Sequence, residues 1–413
     1  MNAPLLKSMF IDFNSFFASC EQADRPELQG KPVVVVPLLA ETTCCIAASR
    51  EAKPFGIKTG TPVHEARRLC PGLRVIEARP EPYIKYQRAL NDVIYDCGVE
   101  PHPESIDEVH CQLWGEWLHE APARELARQI KLALAARVSP VLTCSIGIAP
   151  NRFLAKTASD MQKPDGLVVI RPDDLPDILH PLELRDLYGI GTNMEARLRA
   201  NFIQSVAELC AASRGRLHDI WGSVEGDFYY DALHGLEATQ RRPTEQRTLG
   251  HSHILPPELR TEKGARSVLH RLAQKAAMRL RHANRVTARM TVFVKYLGGQ
   301  ANWSDEIKFN PTQDVLELLR TLEILWARRR MGRRSVPMAV GINFLELNDE
   351  ANAVPSLFEH AQQDRRRALL EAVDHLNVKK GKNTVYFAGA HGAVDYTPMR
   401  IAFNRIPDPD TER

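Results

Sequence analysis

The sequence predicts a mixed protein in three parts: an α/β or α+β body on one central sheet, a helical stretch, and a separate small α+β domain. Three observations carry that expectation. Strand-like and helix-like segments alternate over 8–161, the pattern over 186–235 is helical throughout, and 249–345 runs twice through a β-α-β unit. At 413 residues the chain is too long for one ordinary core, so roughly two to four domains are expected.

Residues 8–18 (SMFIDFNSFFA) open as an apolar strand and end in an aromatic cluster. PVVVVP (32–37) is a second strand, continuous in β-branched residues and closed by proline at both ends. Helical patterning follows over 61–70 and 82–97. Residues 105–114 (SIDEVHCQLW) alternate Val109, Cys111 and Leu113 with polar neighbours, as a strand would. A helix is expected over 121–136, a strand over 141–148 and a helix over 151–161. KPDG and RPDDLPDILHP break the chain at 163–185, and a polar, proline-containing linker lies at 240–247. Beyond it the pattern reads strand 249–255, helix 262–283, strands 286–296 and 302–309, helix 312–330, strand 336–345. Residues 350–413 are polar and expected to be extended, with a helix near 362–376.

Hydrophobic residues at 44% and charged residues at 25% exclude wholesale disorder, collagen-like repeats and a disulfide-stapled miniprotein. No stretch approaches the ~18 apolar residues of a membrane span, and MNAPLLKSMFIDF does not read as a signal peptide. The eight cysteines contain no CxxC pair and read as reduced, mostly buried thiols. A cytoplasmic protein with no membrane partner is the expectation. The net charge of +3 hides an asymmetry: residues 241–350 hold twenty Lys/Arg against eleven Asp/Glu, a net +9 that leaves −6 elsewhere. A basic module on a mildly acidic body fits a polyanion partner, usually nucleic acid, as well as an ordinary Arg-rich surface.

Asp12 stands inside the apolar strand MFIDF, where a lone carboxylate is costly unless a cation or metal pairs with it. Asp107 and Glu108 are adjacent at the start of another strand. Neighbours on a regular strand point to opposite faces, so bringing both to one site needs a turn or distortion there. Three carboxylates from two strands can hold two hard cations, as two-metal phosphoryl transfer requires. The competing reading of an Asp-Glu pair at a strand end is a solvated corner.

The wording around these carboxylates goes further. MFIDFNSFFASCE, GKPVVV, REAKPFGIKTGTP, SIDEV and SIGIAPNRFLAKTASDMQKPDG occur in that order. Together they resemble the Y-family (UmuC/DinB-type) translesion DNA polymerases, over at least 8–240 and by domain pattern to about 347. NSFFASCE leans toward the UmuC branch. The resemblance implies an α+β right-hand polymerase: palm at 1–23 and 78–167, fingers at 24–77, and a helical thumb at 168–240. A linker at 241–248, a β-α-β-β-α-β little finger at 249–347 and a C-terminal tail at 348–413 complete it. It implies low-fidelity, template-directed translesion synthesis with two Mg2+ ions held by Asp12, Asp107, Glu108 and the Phe13 carbonyl. The alternative is a non-catalytic DNA- and clamp-binding scaffold, against which the three intact carboxylates stand.

Further residues follow from the same resemblance. Phe17 falls on the steric-gate position, where a ring would crowd a ribose 2′-hydroxyl, while Phe16 reads as core. Lys156 matches the phosphate-binding lysine, and Arg50 and Lys53 lie on the triphosphate clamp, where tyrosine and arginine are more usual. Ala47 and Ala48 would fit a roomy surface over the nascent base pair. LYGIGTNMEARLRANFI (187–203) has the helix-hairpin-helix form, with Gly189 and Gly191 letting backbone amides approach a DNA phosphate. Arg279, Arg281, Arg285, Arg289 and the run Arg328, Arg329, Arg330, Arg333, Arg334 are expected to contact phosphates, unless the run only complements a helix dipole. Leu357-Phe358 in VPSLFE resembles the end of a sliding-clamp-binding peptide, although Val354 stands where glutamine is usual. Expected partners are primer-template DNA, deoxynucleoside triphosphates and a sliding clamp, for a monomer that accessory mutagenesis subunits could join.

Overall fold

The computed structural model of the chain describes residues 5–237, 247–298, 301–329, 335–352, 360–381, 383–396 and 406. The chain divides into two compact units, with the change at Arg242–Pro243.

In the first unit, β1 (Ser8–Phe13) is buried along its whole length, as befits a central strand. α1 (Phe16–Asp24) follows directly, then β2 (Val33–Val36), β3 (Ala47–Ala48), α2 (Val63–Leu69) and β4 (Arg74–Glu77). Next come α3 (Pro80–Asp96), β5 (Pro101–Pro103), β6 (Glu108–Gln112), α4 (Glu120–Arg137), β7 (Cys144–Ala149), α5 (Arg152–Met161) and β8 (Leu167–Val169).

These strands form two sheets, not the single one expected. The larger has the order β5-β6-β1-β7-β8, and β3-β2-β4 is separate. The run Val33–Val36 belongs to the small sheet, where β2 pairs antiparallel with β3 and parallel with β4. Val34 and Val36 find a core of their own there, with Ala48, Ala52, Ile57, Val63 and Ala66. α5 lies tightly on β7 because position 147 is glycine: a Cβ there would overlap the Ala155 carbonyl oxygen. That contact delivers the face of α5 onto the sheet beside β1.

The expected helical stretch is α6 (Thr192–Ala200), α7 (Val206–Ala211), α8 (Arg214–Trp221) and α9 (Glu225–Leu233). Leu198, Val206, Leu217 and Leu233 share a core with Phe153 and Leu154 of α5. The Asn151 side chain caps α5 by accepting from Leu154 N–H, and donates to the Ala232 and Leu236 carbonyls. The helical layer is thereby fastened to the sheet.

The second unit follows the expected order: β9 (Thr248–Ile254), α10 (Glu262–His282), β10 (Arg285–Tyr296), β11 (Trp303–Thr312), α11 (Val315–Arg328) and β12 (Pro337–Leu345). The antiparallel sheet runs β11-β10-β12-β9, with β13 (Asn348–Asp349) paired to β10. Leu269, Leu272 and Leu280 pack with Val292, Leu322 and Phe344 in its core.

The C-terminal segment holds the helix expected near 362–376, but it is not the extended tail expected around it. α12 (His360–Lys380) and a 3-10 run, Ala388–Tyr396, pack on the same core through Leu370 and Ala393, with Phe387 against it. Arg281 of α10 grips Asp374 of α12 through two hydrogen bonds of 2.6 and 2.8 Å. The helix was legible but its packing was not: scattered apolar residues gave no stripe to mark a buried face, and an internal ion pair does not announce itself in composition. No helix among the described residues is long and apolar enough to cross a membrane, and all eight cysteines are free thiols.

Candidate active site

Pairing register builds the centre of the site. β1 and β6 are antiparallel, and Asp12 lies directly opposite Glu108. Directly opposed residues project to the same face, where two carboxylates repel unless a cation stands between them. One does. The Lys156 ammonium, from α5, is 2.7 Å from Asp12 Oδ2 and 2.7 Å from Glu108 Oε1, and it also meets Asp160 one turn along the helix. Burial alone would lower the Lys156 pKa, but Asp12, Asp160 and Glu108 outweigh it and hold the pKa well above the ordinary lysine value.

Asp107 reaches the same site because it is not in the strand. It ends the bend at 104–107, and β6 begins at Glu108. The Phe13 N–H donates to the Asp107 carbonyl at 2.9 Å, and the Ser105 hydroxyl donates to Asp107 Oδ1 at 2.8 Å. This is the distortion that adjacent carboxylates needed. Burial pushes the Asp107 carboxyl up to about 6, opposed by the Ser105 hydrogen bond and aided by Asp12 and Glu108.

A second ammonium escaped sequence reasoning. Lys163 Nζ lies 2.7 Å from Asp12 Oδ2 and 2.7 Å from Asp160 Oδ1. The spacing in KTASDMQKP sets Asp160 one turn after Lys156 on α5, but Lys163 lies past the end of that helix, in the turn that follows, so no helical periodicity places it. Lys156 sits beneath the carboxylates, its side chain 11% exposed, whereas that of Lys163 is 34% exposed. Lys53, on the 3-10 turn Lys53–Phe55, has its pKa lowered by burial and by Lys163, with Asp12 opposing.

Hard cations favour carboxylate oxygens, and this donor set fits them. The two ammoniums occupy the space between the carboxylates, standing in for cations. As those side chains lie, no three His, Cys, Asp or Glu among the described residues are arrayed around an open position.

Phe17 is the second residue of α1 and is buried at 3% exposure, its ring centroid 4.9 Å from that of Tyr83. Tyr83 donates its hydroxyl to Glu21 at 2.6 Å, and Arg79 holds that buried carboxylate with hydrogen bonds of 2.9 and 2.8 Å. Phe16 is core, as expected. Arg50 is exposed, with only a 4.0 Å approach to Glu51. Ala47 and Ala48 are buried in β3 rather than on a surface.

In the helical layer Gly189 has φ 86°, a conformation open to glycine, and a Cβ there would overlap the Tyr229 hydroxyl. That hydroxyl donates to the Tyr188 carbonyl and closes the hairpin. Gly191 precedes α6, whose first turn has no side-chain cap. The helix before the hairpin is only a 3-10 turn, Leu184–Asp186.

The arginines of the second unit are largely engaged within it. Arg285 pairs with Asp349 at 2.7 Å, and Arg289 with Glu346 at 2.7 Å and Glu306 at 3.5 Å. Arg279 donates to His251. Arg281 and Arg329 depart from the expected phosphate contacts. Arg281 is committed to Asp374, while Arg329 is buried against Trp326, 3.7 Å from the ring centroid, and paired with Glu262. Arg328 is half exposed. Arg330, Arg333, Arg334, Val354, Leu357 and Phe358 lie outside the described residues.

Residues 11–160 match the impB/mucB/samB family, and residues 246–357 match the C-terminal domain of that family. The chain is 32% identical over 403 residues to the DNA polymerase IV of Moorella thermoacetica, covering 96% of this chain and 97% of the relative. It is 28% identical over 401 residues to the DNA polymerase IV of Bacillus velezensis, covering 96% and 95%. In three dimensions it resembles a Y-family DNA polymerase chimera of Dbh and Dpo4, with TM-score 0.68 and 24% identity, covering 83% of this chain and all of that one. It also resembles Dbh DNA polymerase in an insertion ternary complex, with TM-score 0.54, 24% identity and the same coverage.

Proposed function

From the chain's membership of the impB/mucB/samB family, the Y-family polymerases of DinB type, we infer that it is a template-directed DNA polymerase carrying out translesion synthesis. The DinB-type relatives answer the subtype, toward which NSFFASCE leaned the other way. Its partners are DNA and deoxynucleoside triphosphates, and its chemistry uses divalent cations.

The observation that carries the catalytic assignment is the opposition of Asp12 and Glu108 across β1 and β6, with a buried cation between them. Asp12, Asp107, Glu108 and the Phe13 carbonyl would hold two Mg2+ ions. Bound there, the ions would lower the pKa of the primer hydroxyl and neutralise charge on the triphosphate. Lys156, which the resemblance places at the triphosphate, stands between the carboxylates and holds them together. Lys163 and Lys53, the more exposed ammoniums, hold the triphosphate, and Arg50 adds to them. Phe17, backed by Tyr83, is the wall against a 2′-hydroxyl.

The larger sheet supports the palm at 1–23 and 78–167, the three-stranded sheet the fingers at 24–77, and α6–α9 the thumb at 168–240. The hairpin at Gly189 and Gly191 would take a DNA phosphate. Residues 249–347 make the little finger, and 360–396 belong to its core as well. Arg285 and Arg289 would meet DNA phosphates by exchanging internal partners for them, and Arg330 would join them. Leu357 and Phe358 would bind a sliding clamp. The protein is read as a cytoplasmic monomer. The test is primer extension on undamaged and lesion-bearing templates with Mg2+. Template-dependent extension that stops on chelation supports the reading, and DNA binding without extension would favour the scaffold.

A further inference from the structure

Asn14 is buried and follows Asp12 by two residues. Its side chain is engaged at both its oxygen and its nitrogen. Oδ1 accepts from the Asp165 backbone N–H at 2.8 Å and from the Thr143 hydroxyl at 3.2 Å, and Nδ2 donates to Ser145 Oγ at 3.0 Å. Ser145 Oγ also accepts from the Gly166 N–H at 3.3 Å. Two consecutive amides of the turn after α5 are thus tied to β1 and β7 through one carboxamide and one hydroxyl.

That turn is held against its own preference. Asp165 has φ 59°, a left-handed conformation unfavourable to a non-glycine residue. Lys131 of α4 secures the same residue, donating to its carbonyl and to its Oδ1 at 2.7 Å each. Strained backbone persists only where its surroundings over-determine it. Lys163, two residues before Asp165, sends its ammonium to Asp12 and Asp160.

We propose that Asn14 is a positioning residue for the incoming nucleotide: it locks the 163–166 turn to the strand carrying Asp12, and so fixes where the Lys163 ammonium stands. The proposal rests on reading Lys163 as a triphosphate-binding group. A lysine is a point charge on a flexible four-carbon stem, so its backbone anchor decides where the charge sits. Asparagine suits the position because the turn presents a donor and Ser145 an acceptor. A leucine here would strand the Asp165 N–H.

The experiment is single-nucleotide incorporation by the full chain, comparing wild type with Asn14→Ala, Asn14→Asp, Lys163→Ala and the Asn14→Ala/Lys163→Ala double variant. Asn14→Ala should raise the KM for the nucleotide about tenfold while kcat stays within about threefold. Asn14→Asp keeps an acceptor for Asp165 and lets Ser145 turn to donate, so its KM should stay within about threefold of wild type. The double variant should be no worse than Lys163→Ala, because one effect runs through the other. Hydrogen exchange should show Asp165 and Gly166 losing protection in Asn14→Ala. If that variant does not fold, Ser145→Ala, which cuts the link to Gly166, should raise KM about threefold.

A raised KM in Lys163→Ala beside a wild-type KM in Asn14→Ala, or additive losses in the double variant, overturns the role of Asn14 alone. Equal KM for wild type and Lys163→Ala overturns the assignment of Lys163, and the positioning with it. Unchanged protection of Asp165 and Gly166 overturns the clamp itself.

Discussion

Asp12 and Glu108 are register partners across the β1–β6 ladder, and the Lys156 ammonium lies 2.7 Å from a carboxylate oxygen of each. Two like charges facing each other in a buried sheet are tolerated because a third group of opposite charge lies between them. Removing that group exposes the repulsion.

Lys156→Met should therefore destabilise the protein by about 3–5 kcal/mol, the usual cost of leaving a buried charge without its partner. Millimolar Mg2+ should return part of that loss, since a cation binding the folded state alone stabilises it by mass action. Urea denaturation with and without Mg2+ reads both effects. Equal stability of the variant and wild type without Mg2+ would show that the ammonium is not what holds the carboxylates together.

Phe17 packs its ring on Tyr83, which Glu21 and Arg79 hold in place. Phe17→Ala should lower the preference for deoxy- over ribonucleotides by about tenfold or more, equivalent to ~1.4 kcal/mol of lost discrimination. Competing incorporation of dNTP and rNTP measures it. An unchanged ratio would assign Phe17 to the core alone.

The hairpin glycine offers a separable test. Gly189→Ala meets a left-handed backbone and the Tyr229 hydroxyl together, and should cost about 1–2 kcal/mol from the backbone alone. Tyr229→Phe removes the overlapping oxygen, so the double variant should lose less than the sum of the singles. Duplex affinity should fall with Gly189→Ala. Normal affinity in a stable Gly189→Ala protein would place DNA elsewhere on the thumb.

The C-terminal segment changes an expectation. Its sequence read as a tail, which left the little finger complete by about residue 347. Leu370, Ala393 and the Arg281–Asp374 pair instead make it part of that core. Asp374→Ala should destabilise the second unit by about 3–5 kcal/mol by stranding a buried guanidinium, and Arg281→Met/Asp374→Leu should recover most of that. Melting curves of the three proteins decide it. Equal melting temperatures would mean that the segment only rests on the surface.

Legibility followed the kind of interaction. Asp12 was readable because a charge inside an apolar strand is costly, and the β-α-β-β-α-β unit because its periodicity is regular. The need for a distortion at Asp107 was readable as well, from the alternation of strand faces alone. Lys163 was not, because its approach to Asp12 depends on the turn at 163–166 and on Asn14, a contact between residues 151 positions apart. Arg281 and Arg329 were misread for a related reason. A run of arginines looks solvated until its individual partners, Asp374 and Glu262, are known. The split of β2 from the larger sheet was hidden because β3 and β4 are only two and four residues long.

The central claim is that Asp12, Asp107 and Glu108 form the catalytic centre of a polymerase. Single-turnover primer extension by Asp107→Ala and Glu108→Ala, run beside primer-template binding of the same proteins, tests it most directly. The account predicts nucleotide addition at least about a thousandfold slower than wild type, a loss of ~4 kcal/mol in the chemical step, with DNA affinity within about threefold because thumb and little finger hold the duplex. Extension by either variant at the wild-type rate would contradict it.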